Sequence, residues 1–150
     1  MDAQRLIPAP DEAAPFAAVA PATPTVTLFV CTTCRAADVP PADAAESLTP
    51  DGIALLDAVR ALALPETVAA TGVRCLGNCK RSLSAALVRR DGWTYVFGGL
   101  SAAGAADIVE GARLLAESTD GLMPWRGRPE ILKRGMVARI PPLSLPEDIR

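Results

Sequence analysis

Residues 25–34, TVTLFVCTTC, decide how the chain is to be read. A β-branched and aromatic run of strand length ends directly on Cys31 and Cys34. The placement recurs at 67–79, TVAATGVRCLGNC, where a second strand-like run leads straight into Cys75 and Cys79. Between them, Thr49-Pro50-Asp51 offers an N-cap, a first-turn proline and an acid at the positive end of a helix. Leu55, Leu56, Val59, Leu62 and Ala63 then recur at helical spacing until Pro65 stops the pattern. A strand, a crossover helix and a second strand form a right-handed unit with its strands parallel, so both strands end on the same side. Ligands in open sheets of this kind gather at the carboxyl ends of the strands. The two cysteine pairs are therefore expected on one edge, although about forty residues separate them.

Outward from this unit, the residues between Cys34 and the helix, RAADVPPADAAESLTP, are denied regular structure by their prolines. After the second pair, SAALVRR and WTYVF flank Asp91-Gly92, a strong hairpin signal. Ser101 can then cap a helix whose stripe is Ala105, Ile108, Val109, Ala112, Leu115 and Ala116. The order reads β-α-β-β-β-α over residues 25–118. Residues 1–24 hold eight Ala and five Pro with few large apolar groups, and are expected to be a disordered tail. Residues 119–150 read as an irregular C-terminal arm with a short helical piece ending on Gly135 and, across the fourteen positions 126–139, five basic residues, Arg126, Arg128, Lys133, Arg134 and Arg139. Solvation or weak packing is the plainer expectation for those cations, and docking the sharper one. Trp93, Tyr95 and Phe97 alternate along a strand and are read as core, with Met123 and Trp125 as packing contacts.

Composition narrows the function. A chain of 150 residues, half of them hydrophobic, supports one compact domain. The formal charge of −2 argues against a nucleic-acid module. No apolar run reaches the roughly 18 residues of a membrane span, and the acidic, proline-broken N-terminus lacks the features of a secretory signal. A cytoplasmic location is expected. In that reducing compartment four cysteines point to metal or redox chemistry rather than to structural disulfides. Histidine is absent, so a soft-metal site must be all-thiolate or use carboxylates.

Four thiolates held together repel one another, and a bound cation or an iron–sulfur core compensates that charge. Cys31, Cys34, Cys75 and Cys79 are thus candidate ligands of one metal or cluster site. Gly77 lets the CLGNC loop take a positive φ, in which backbone N–H groups can donate to sulfur. Arg35, Arg74, Lys80 and Arg81 flank the cysteines and would stabilise an anionic centre, or would simply be solvated surface. No nucleophile–base pairing or phosphate loop is visible, so no enzymatic activity is expected.

The strand-CxxC start, CLGNCKRSLSAALV, DGWTYVFGGL and DGLMPWRGRPE resemble an uncharacterised bacterial family of predicted metal-binding proteins, often encoded near cobalamin-biosynthesis or cobalt-handling genes. The resemblance runs from about Val26 to Pro142. More distantly, the element order and the C-x₃-C after the second strand are similar to thioredoxin-like two-iron two-sulfur (2Fe-2S) ferredoxins. That similarity implies a thioredoxin-like α/β fold with a mixed sheet and Cys31, Cys34, Cys75 and Cys79 as cluster ligands, although those ferredoxins space their first pair more widely. Together the two resemblances imply electron transfer with a protein redox partner, the first of them placing it in cobalamin or cobalt metabolism. A Cys₄ zinc or cobalt site, in a metal carrier, sensor or structural protein that meets metal-handling partners, stays open beside it. So does a homodimer; no nucleic-acid or membrane partner is expected. Thiol–disulfide exchange ranks third. A reactive CxxC wants a helix N-terminus at its first sulfur, and here a proline-rich loop of some fifteen residues intervenes; nor does a proline precede SAALVRR, as it does in thioredoxins.

Overall fold

The computed structural model describes residues 23–36 and 49–144. The tail expected at 1–24 lies outside the described residues up to position 22, as does most of the proline-rich loop, residues 37–48. The strands are β1 (Val26–Cys31), β2 (Val68–Val73), β3 (Ala85–Arg89), β4 (Thr94–Phe97) and β5 (Met136–Ile140), and the helices are α1 (Asp51–Arg60), α2 (Ala105–Glu117) and α3 (Glu130–Arg134). They form one mixed sheet in the order β2-β1-β3-β4-β5. Strands β1 and β2 run parallel and every other neighbouring pair is antiparallel. The β-α-β-β-β-α order is the thioredoxin-like arrangement expected from the sequence.

The register explains the core. Leu28, Leu87 and Tyr95 lie side by side across β1, β3 and β4, as do Val30, Ala85 and Phe97, and all six are fully buried. Leu55, Leu56 and Val59 of α1 and Ile108, Ala112 and Leu115 of α2 cover this row. Side chains on a strand alternate between faces, so Thr27 and Phe29 of β1 point the other way and are only half-buried.

Helix ends differ from their sequence signals for local reasons. Pro50, not Thr49, stands at the cap position of α1, with no side-chain cap. The work of a cap is done across the fold: the Gly52 N–H donates to the Cys34 carbonyl at 3.0 Å, and the Asp51 carboxylate accepts from the Ala36 N–H at 2.8 Å. Helix α1 also stops at Arg60, before the stripe ends, leaving Leu62 37% exposed. Ser101 precedes a 3₁₀ turn, residues 102–104, and does not cap with its side chain; its carbonyl accepts from the Gly104 N–H.

The stretch read as an irregular arm is built into the fold. β5 pairs antiparallel with β4, while Leu132 of α3 is fully buried and Met123 is 2% exposed. Arg128, grouped among the surface cations by sequence, is 7% exposed; it donates to the carbonyls of Met123 and Pro124 and lies over the Tyr95 ring. Trp125, expected to pack, is 62% exposed and is flanked by Arg128 and Lys133. Trp93 is half-buried, with Arg139 over its ring, 5.0 Å from the centroid.

Candidate metal and thiol site at the strand ends

β1 ends at Cys31, which pairs with Val73 at the end of β2. The parallel register therefore delivers the first pair to the point where the second pair's loop begins. That loop is stitched to the first by Thr32 and Thr33. The Thr32 N–H and hydroxyl both donate to the Val73 carbonyl, at 2.8 and 2.9 Å, and the Thr33 hydroxyl donates to the Arg74 carbonyl. The Arg74 carbonyl also accepts from the Cys31 thiol at 3.8 Å. Cys31 and Cys34 are buried.

The two buried thiols are unequal. Burial acts to raise the Cys31 thiol, but hydrogen bonds from the Cys34 thiol, the Leu76 N–H and Thr33 outweigh it, and its pKa falls below the usual thiol value. For Cys34, burial together with its role as donor to Cys31 raises the pKa to about 11. The contacts of Cys31 with the backbones of Arg74 and Leu76 bracket Cys75 in the chain.

Cys75 and Cys79 are exposed. Gly77 has φ 72°, and its N–H donates to the Cys75 sulfur at 3.2 Å, the turn-to-sulfur bond anticipated from CLGNC. Cys79 opens the 3₁₀ turn Cys79–Arg81. Beside it, the Asn78 amide donates to the hydroxyl of the fully buried Ser84, whose carbonyl accepts from the Cys31 N–H. A second chain of contacts thus links the two loops. Among the described residues, no three Cys, Asp or Glu side chains stand grouped as metal ligands. The structure brings the Cys31 and Cys34 thiols together and sets the two loops side by side, with Cys75 and Cys79 exposed.

The donor set suits a soft centre: four sulfurs, no imidazole, and one thiol already biased toward thiolate. Gly77 has no heavy atom within 4 Å of where a Cβ would sit, so the second loop has open space around it. Sequence reading missed Thr32, Thr33, Asn78, Ser82 and Ser84, the residues that hold the loops together. Two hydroxyls inside CTTC and an amide inside CLGNC were the available signals, and no periodicity marks them. The helix starts where the sequence put it, but the intervening loop does not hold it away from the first pair: the N-terminus of α1 lies against Cys34, with its Gly52 N–H serving the carbonyl and not a sulfur.

Fold and site together define a small thioredoxin-like α/β protein with thiol pairs beyond the ends of two parallel strands. Residues 28–142 match the family described as "Protein of unknown function (DUF1636)", and the chain belongs to that family. No curated protein matches it. Among solved structures it is similar to a thioredoxin-like 2Fe-2S ferredoxin from Aquifex aeolicus, at 15% identity and a TM-score of 0.47, over 82% of this chain and 99% of that one. No helix among the described residues is long and apolar enough to cross a membrane.

Proposed function

We propose that Cys31, Cys34, Cys75 and Cys79 hold a 2Fe-2S centre at the common end of β1 and β2, and that the protein carries single electrons to or from a protein partner rather than catalysing bond chemistry itself. The observation that carries this reading is the parallel register Cys31↔Val73, which sets the 74–79 loop against the Cys31 sulfur. Such a centre supplies one-electron chemistry when bound. The chain's own part is to present thiolates, to donate backbone N–H bonds to sulfur as Gly77 does for Cys75, and to shield Cys31 and Cys34 from water. Cys75 and Cys79 are exposed, so turning their sulfurs inward displaces solvent rather than core. The resemblance of CLGNCKRSLSAALV and DGLMPWRGRPE to a family often encoded beside cobalamin genes supports a role in cobalamin or cobalt metabolism.

The test is the absorption spectrum of protein purified without oxygen, with metal and sulfide analysis. The expected protein is brown, with iron and acid-labile sulfide in equal amounts. A colourless protein with one zinc per chain replaces this reading with a Cys₄ zinc site. The Cys31–Cys34 contact favours one further reading, dithiol–disulfide exchange, because one thiol is biased toward thiolate by the other. In that case the metal-free protein would reduce a disulfide substrate, and Cys75→Ser would leave the activity intact.

A further inference from the structure

Hydrogen bonds to sulfur come from two kinds of group at this site. Backbone donors follow from the path of the loops: the Leu76 N–H serves Cys31, the Gly77 N–H serves Cys75 and the Ser84 N–H serves Cys34. Ser84 adds a side chain to this set. It is fully buried, immediately before β3, and its hydroxyl oxygen accepts from the Asn78 amide at 3.0 Å. A serine hydroxyl has one proton to give. The Arg81 carbonyl lies 3.5 Å away and already accepts from the Gly99 N–H at 2.7 Å and from the Asn78 amide at 3.3 Å. A carbonyl oxygen has two lone pairs, so those two donors fill it. The other acceptor within reach of the Ser84 hydroxyl is the Cys34 sulfur. Thr33 differs: its hydroxyl lies 3.7 Å from the Cys31 sulfur but gives its proton to the Arg74 carbonyl.

We infer that Ser84 is a positioning residue: its hydroxyl, held in aim by the Asn78 amide, donates to the Cys34 sulfur and sets how readily a centre bound there accepts an electron. The effect on electron uptake rests on the iron–sulfur reading; the bond to sulfur does not. A donor aimed at a thiolate ligand stabilises negative charge on sulfur, and an added electron places more charge there. The bond is therefore stronger in the reduced state and holds the potential up. Burial strengthens it, since little water competes for the hydroxyl. Asn78 belongs to the CLGNC loop, so the aim of the hydroxyl also depends on how that loop sits. Gly98 keeps the amide's place open, because a Cβ there would stand 2.3 Å from the Asn78 amide nitrogen.

The test is a redox titration of the loaded full chain, purified without oxygen and followed by its visible absorption. Ser84→Ala should lower the midpoint so that the ratio of reduced to oxidised protein at a fixed ambient potential falls about tenfold, about 59 mV for a one-electron couple. Ser84→Thr keeps the hydroxyl and should restore most of the shift. Asn78→Ala, at a half-buried position, should move the midpoint the same way by less, and it carries the test if Ser84→Ala does not fold. Thr32→Val removes a hydroxyl that joins the same two loops through the Val73 carbonyl rather than through a sulfur, and should leave the midpoint in place. An unmoved midpoint in both Ser84→Ala and Asn78→Ala, or an equal shift in Thr32→Val, overturns the inference. Should the protein prove colourless, cobalt(II) alone, added to the metal-free chain, gives the readout. The thiolate-to-cobalt absorption should move to lower energy in Ser84→Ala and stay in place in Thr32→Val. A shifted cobalt band in a protein without iron retires the iron–sulfur centre and keeps the Ser84 bond, and a brown protein with an unmoved midpoint does the opposite. A chain that takes neither iron nor cobalt overturns both.

Discussion

At Cys34 the fold favours the neutral thiol, whose pKa stands near 11 against a usual value of 9.0, through burial and its bond to Cys31. A group that holds its proton more tightly when folded lends stability below the unfolded pKa and withdraws it as pH rises toward the folded one. Cys31 has the opposite sign: its lowered pKa lends stability above the unfolded value and loses it as pH falls. The metal-free protein should therefore gain slightly in melting temperature up to about pH 9, then lose on the order of 2 kcal/mol toward pH 11. Cys34→Ser should flatten that alkaline loss, since a serine hydroxyl keeps the donor and does not ionise there; an unchanged slope would place the loss in another group. A second residue-scale test concerns Gly52. A Cβ there would stand 2.0 Å from the Cys31 carbonyl oxygen, a backbone atom that cannot swing aside. Gly52→Ala should push α1 off the end of β1, cost about 1–3 kcal/mol by denaturant melt, and weaken cofactor retention.

At the scale of elements, the C-terminal stretch shows where sequence patterns stop being informative. β1 was legible because it is a β-branched and aromatic run ending on a cysteine, β2 because Thr67, Val68, Thr71 and Val73 lead in the same way into Cys75, and α2 because its stripe repeats over thirteen residues. Helix α3, five residues long, offers little more than one turn of pattern. β5 presents an edge: Val137 and Ile140 are 41% and 51% exposed, so no strict inside–outside alternation marks it as a strand. Its pairing with β4 is a non-local choice that no window of sequence records. The cysteine edge was legible from the strand–helix–strand rule, whereas the way the two loops are held against each other depends on Thr32, Thr33, Asn78 and Ser84, whose bonds cross between segments. Leu132 measures how integral the stretch is. It is fully buried, against Gly111 of α2. Leu132→Ala should cost about 2–5 kcal/mol of unfolding free energy, where an independent arm would give almost none.

At the scale of the whole molecule, the proposal makes the two halves of the crossover unit depend on each other. Cys34 follows β1 and Cys79 opens the turn before β3, yet a shared centre would bind both strands' ends with a free energy that only the native state enjoys. Serine offers a harder and less readily ionised ligand atom than thiolate. Cys34→Ser and Cys79→Ser should therefore alter the same visible absorption band and lower the melting temperature of the loaded protein by similar amounts. In the metal-free protein the two should part company: Cys79 is exposed, and its replacement should change stability little, whereas Cys34 is buried and bonded to Cys31. Convergence with the cofactor and divergence without it is a pattern that two separate redox pairs cannot produce, because each substitution would then leave the other pair able to form its disulfide. A loaded Cys79→Ser protein with unchanged spectrum and melting temperature would remove Cys79 from the site, and with it the argument that parallel strands exist here to close one centre from two loops.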